Sequence, residues 1–75
     1  MFNVKRIGST VEITQIPCEV SIEVFKDISE QTKANECLIC FSRGSDTYEV
    51  IIRHENDNMA GAVASLLHSM EQSQR

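Results

Sequence analysis

The stretch CEVSIEVFKDISEQTK, Cys18 to Lys33, follows the single proline of the chain, Pro17, and its reading decides the fold. As a strand, Cys18, Val20, Ile22 and Val24 alternate with Glu19, Ser21 and Glu23, the period-two pattern of a half-buried sheet member. As a helix, Pro17 suits the first turn, and Glu19, Glu23, Lys26, Asp27 and Glu30 share one arc. Periodicity alone does not separate the two, so propensity must. Val, Ile, Cys, Ser, Thr and Phe dominate the stretch, all mediocre in helices, and the β-branched ones fit a pleated surface. Propensity therefore predicts a strand over Cys18–Phe25 and a polar connection over Lys26–Asn35. The helical alternative would make the chain ββαββα.

The flanking segments are less ambiguous. Gly44-Ser45 sits between two alternating runs, with glycine first, the order that suits a type II′ turn. Closing a hairpin there pairs Arg43 with Asp46, Phe41 with Tyr48, Ile39 with Val50 and Cys37 with Ile52. One face then carries Cys37, Ile39, Phe41, Tyr48, Val50 and Ile52, and a one-residue slip would reverse it. Gly8-Ser9 repeats the device at the N-terminus, pairing Val4 with Ile13 and Lys5 with Glu12. Phe2, Val4, Val11 and Ile13 share a face there, interrupted by Arg6. The two Gly-Ser hairpins suggest duplication, but their strands do not match well enough to establish it.

The last segment reads as a helix. Asn56-Asp57-Asn58 offers side chains that cap free backbone N–H groups. Met59, Val63, Leu66, Leu67 and Met70 follow as an apolar stripe, beside a small-residue row of Ala60, Gly61, Ala64 and Ser65. The expected fold over residues 1–75 is one α+β domain: an antiparallel sheet of four to five strands in two Gly-Ser hairpins, with the C-terminal helix on one face.

Composition bounds function. The 75 residues are 41% hydrophobic and 24% charged, ordinary for a folded domain. At this length folding buries only about 60–65% of the chain's surface, a marginal core that invites a second copy or a partner. Self-association would use Ile7, Leu38 and Ile51 on the second sheet face, with Ala60, Gly61 and Ala64 on the helix. A net charge of −4 argues against a nucleic-acid partner, whose phosphates demand a concentrated basic surface. No apolar run is long enough to span a membrane. The first residues lack a secretory pattern, and three cysteines, an odd number, fit a reducing, cytoplasmic setting.

Chemistry-bearing motifs are sparse. Cys37-Leu38-Ile39-Cys40 has the spacing of zinc and thiol sites, and Cys18 and His54 could complete a ligand set. Yet residues three apart on a strand point to opposite faces, so both cysteines read as strand filling. His54, at the end of its strand, reads as an edge-of-core hydrogen-bonding residue. No nucleophile elbow, phosphate loop or acid–base pair appears, so no cofactor, metal or catalysis is expected. Glu19, Glu23, Asp27, Glu30 and Glu36 make the densest acidic stretch. It reads either as a solvated face or as a patch for a basic partner protein. The expectation is a non-enzymatic protein-binding module, an adaptor or inhibitor of a larger complex. It is similar in size and charge to small acidic proteins of phages and mobile elements. The competing expectations are a nucleic-acid site at Lys5, Arg6 and Arg53, and a zinc or thiol protein.

Overall fold

The computed structural model describes residues 2–73 and shows an α+β fold of one four-stranded sheet and two helices. The strands are β1 (Asn3–Ile7), β2 (Thr10–Pro17), β3 (Glu36–Phe41) and β4 (Thr47–Arg53), and the helices α1 (Ile22–Gln31) and α2 (Asp57–Ser73). The order across the sheet is β1-β2-β4-β3, and every neighbouring pair is antiparallel.

The expected strand over Cys18–Phe25 is not formed. From Ile22 the chain is helical, and the architecture is ββαββα, the alternative reading. Burial of a helical stripe overrides strand propensity here: Phe25, Ile28 and Ser29 are buried, with Ile22 and Thr32 partly so. A strand would have left Ile28 stranded in a polar connection. Local chemistry supports the helix at both ends. The Ser21 hydroxyl accepts the Glu23 N–H at 3.2 Å, an N-cap. At the other end Lys33 adopts φ 55°, its N–H reaches Glu30 O at 3.1 Å, and Ala34 N–H reaches Ser29 O at 2.8 Å. Those two bonds form a Schellman motif, with lysine at the position that glycine usually fills.

Both hairpin registers are as expected, with Val4 opposite Ile13, Lys5 opposite Glu12, Phe41 opposite Tyr48 and Cys37 opposite Ile52. Gly8 has φ +60° at the first turn, a value that favours glycine. β2 contains an irregularity that the alternation does not announce. Gln15 adopts φ 57°, and the register against β4 shifts between Ile13 and Ile16. The extra residue makes a β-bulge, which returns Ile16 to the face already carrying Val11 and Ile13. All three are fully buried.

The chain thus folds as ββα twice, with the β2·β4 ladder as the joint between the units. Phe25, Ile28 and Ser29 on α1 and Ala60, Val63 and Ala64 on α2 are buried at the same spacing. The units differ in length: α2 has 17 residues and α1 has 10. Asn56 caps α2 by accepting the Met59 N–H at 2.9 Å. α2 presents a different face from the one its bulky residues suggest. Ala60, Val63, Ala64 and Leu67 are buried, whereas Met59 and Leu66 are exposed. Two alanines on the contact line bring the helix close to a sheet already filled by Val11, Ile13 and Phe2. Phe2, Phe25 and Tyr48 stack edge to face at centroid separations of 6.0 and 6.2 Å, tying the residue before β1 to α1 and β4 in one core.

Candidate functional site

Both helices lie on the face that carries Val11, Ile13, Val50 and Ile52, and the other sheet face is uncovered. Strand alternation and register place Ile7, Lys5, Glu12, Ile51, Leu38, Cys40, Arg53 and Glu36 on that open face. Of the expected self-association residues, Ile7 and Leu38 are exposed there and Ile51 is partly buried. Ala60 and Ala64 are not available for a second copy, because both are buried against this chain's own sheet. Gly61 flanks them, partly buried.

The helical reading of α1 regroups the acidic residues. Glu23, Asp27 and Glu30 are exposed and, at i, i+4 and i+7, form one stripe opposite Phe25 and Ile28. Glu19, also exposed, leads into the stripe. Lys26 lies beside it, 3.9 Å from Glu23. Glu36 leaves the group. It sits on β3, on the open sheet face, and pairs with Arg53 at 3.2 Å. The sequence grouped five carboxylates by proximity along the chain; the fold keeps three on α1, leaves Glu19 in the turn before it and sends Glu36 to the sheet.

The basic residues do not converge. Lys5 and Arg6 are strand neighbours and point to opposite faces. Lys5 stands opposite Glu12, Arg6 donates to Gly8 O at 2.8 Å, and Arg53 is engaged by Glu36. Cys37 and Cys40 also fall on opposite faces, and Cys18, Cys37 and Cys40 are free thiols. Among the described residues no three ligating side chains are placed to hold a metal ion, and no cavity opens. No helix among them is long and apolar enough to cross a membrane.

One polar constellation is buried. His54 Nε2 lies 2.8 Å from Thr32 Oγ1, and that hydroxyl donates to Ile28 O at 2.7 Å. With its one hydrogen so engaged, Thr32 can only accept from the imidazole, so the neutral ring carries its proton on Nε2. Nδ1 is buried without a partner. Burial lowers the His54 pKa from 6.5. Tyr48 is the other displaced group: burial, and secondarily the neighbouring Cys18, raise its pKa from 10.0. Its hydroxyl donates to Val20 O at 2.7 Å, fastening the segment that leads into α1. The His54–Thr32 bond joins the end of β4 to the end of α1, and the Tyr48–Val20 bond joins β4 to the segment before α1.

The remaining exposed surface is apolar in places. Phe41 is 69% exposed at the edge of the sheet, touching Tyr48 at a centroid distance of 5.9 Å. Sequence parity placed Phe41 with the core residues, and it does point to the helix side. What parity could not show is that no element covers it at the sheet edge. Comparison with protein-family models, with curated proteins and with solved structures finds no match.

Proposed function

We propose that the chain is a small non-enzymatic protein-binding module, an adaptor or inhibitor that engages a basic surface of a larger complex through the outer face of α1. The observation that carries this reading is the alignment of Glu23, Asp27 and Glu30 along one exposed stripe, with Glu19 exposed in the turn before the helix. Helix stability does not account for Glu30. A carboxylate at Glu30 stands in the last turn, where the helix dipole disfavours negative charge, and that turn has no basic residue. A partner bearing Lys and Arg would be drawn by long-range attraction and held in register by the spacing of the carboxylates. The free thiols are consistent with action in a reducing cytoplasm.

The test is affinity capture with the intact chain and with a variant carrying Glu19→Lys, Glu23→Lys and Glu30→Lys, circular dichroism establishing that both fold. The reading expects a captured protein whose retention falls with added salt and is lost in the variant. Equal capture by both chains would overturn it. So would salt-sensitive binding of the intact chain to heparin or RNA, which belongs to a nucleic-acid-binding domain.

A further inference from the structure

The two outer strands of the sheet are guarded differently. β1 presents Lys5 and Arg6, both exposed, and charges of that kind keep an open edge from pairing. β3 carries no charge from Cys37 to Phe41, and the Glu36 carboxylate before them is engaged by Arg53. α2 reaches over β1, while the shorter α1 leaves Phe41 exposed on the helix side and Ile39 only partly buried; Leu38 is exposed on the other side. The backbone is equally unpaired. Ser42 N–H bonds to Thr47 O at 3.2 Å, so strand alternation turns Cys40 and Leu38 toward β4 and turns Cys37, Ile39 and Phe41 outward.

We propose that β3 is a self-complementary edge: two copies of the chain pair β3 with β3, antiparallel, about a two-fold axis through Ile39. The four-stranded sheet of one copy then continues into that of the other. In this register Ile39 meets its own symmetry mate, Phe41 lies opposite Cys37 of the second copy, and Leu38 lies opposite Cys40. Phe41 and Leu38 each face a small cysteine, Ile39 faces its equal on the axis, and every pair stays on its proper face. Glu36 lies opposite Ser42 of the second copy, both on the open face, and the two-fold axis repeats that pair at the other end. A one-residue slip would set helix-side residues against open-face residues. A two-residue shift one way opposes Ile39 to Phe41, two large groups, and Cys37 to Arg43. A two-residue shift the other way opposes Glu36 to Cys40 and carries Phe41 past the end of the strand. The contact is isologous and closed, so it stops at two copies. It is also short, which places it among weak, exchanging dimers.

The experiment is sedimentation of the intact chain from about 10 µM to about 1 mM, a range that spans weak dimers. The mass is expected to rise from that of one chain toward that of two. Phe41→Lys, at an exposed position, is expected to raise the dissociation constant at least about tenfold with circular dichroism unchanged. Ile51→Lys, on the open sheet face, should leave dimerisation intact. Leu38→Cys adds a register test. Opposed residues that do not share hydrogen bonds lie about 4.5 Å apart between Cα atoms, within disulfide reach. Mild oxidation should therefore link position 38 of one copy to Cys40 of the other. A single-chain mass across the whole range would overturn the proposal. So would a dimer weakened by Ile51→Lys and not by Phe41→Lys, or a linkage mapped to other positions. Charge reversal along α1 is expected to leave the dimer unchanged, so this proposal and the partner-binding reading fail independently.

Discussion

Thr32 and His54 meet at 2.8 Å, Oγ1 to Nε2, and so join the end of α1 to the end of β4. Because the imidazole is buried and its Nδ1 has no partner, the folded chain resists taking up a second ring proton. The unfolded chain does not. Between the lowered folded value and about 6.5, the unfolded state therefore binds more protons, and stability falls as the pH drops through that window. The thermal midpoint should be level above about pH 6.5 and decline below it, and His54→Gln should remove that part of the decline. A wild-type profile that is flat there would show the ring to be free to protonate. Thr32→Val, which strands the Nε2 hydrogen, is expected to cost about 1–3 kcal/mol by denaturant unfolding.

Tyr48→Phe keeps the ring between Phe25 and Phe41 and deletes only the hydroxyl that donates to Val20 O. The expected loss is about 1 kcal/mol. The alkaline limb carries a second signature. Because the folded-state pKa of Tyr48 is raised, its contribution is complete below about 10 and lost as the pH climbs past that point. In Tyr48→Phe the alkaline decline should be shallower, as followed by circular dichroism.

Lys33 occupies the left-handed position of the Schellman motif at φ 55°. A side chain costs roughly 1 kcal/mol there, offset in part by the greater freedom glycine gives the unfolded chain. Lys33→Gly is expected to raise stability by about 0.5 kcal/mol, and Lys33→Val to lower it by more than about 1 kcal/mol. Equal midpoints for the two variants would mean that the helix ends some other way.

Glu30→Gln separates the needs of the helix from those of a partner. Removing a carboxylate from the last turn of α1 should stabilise the fold by about 0.3 kcal/mol. The same change should weaken capture of the partner. A variant that loses stability and keeps its partner would speak against the acidic stripe on both counts.

The hairpin registers were legible in the sequence because alternation and a Gly-Ser turn fix them together, as Tyr48 opposite Phe41 illustrates. The cap at Asn56 was legible for a similar reason, being a local hydrogen bond. What escaped was set by distant parts of the chain. Cys18 to Val24 alternates like a strand, and only the need to bury Phe25 and Ile28 against β-strands elsewhere makes that segment a helix. Ile16 reads as outward-facing until Gln15 takes a left-handed conformation. On α2 the bulky Met59 and Leu66 attract attention, yet a sheet already full of large residues accepts Ala60 and Ala64 instead. The grouping of the acidic residues was half legible. Glu23, Asp27 and Glu30 do share one helix face, whereas Glu36 lies on β3, a turn and a layer away from Glu30.

The β2·β4 ladder also governs how the chain can come together. Each hairpin closes a short loop, whereas pairing β2 with β4 joins segments separated by α1 and β3, a slower and costlier closure. Neither ββα half owns a complete core, since Phe2 and Phe25 come from one half and Tyr48 from the other. A chain cut between Lys33 and Asn35 would thus yield two peptides that are disordered apart and regain structure on mixing. The joint that makes one molecule out of two similar halves is the same joint that forbids either half an independent life.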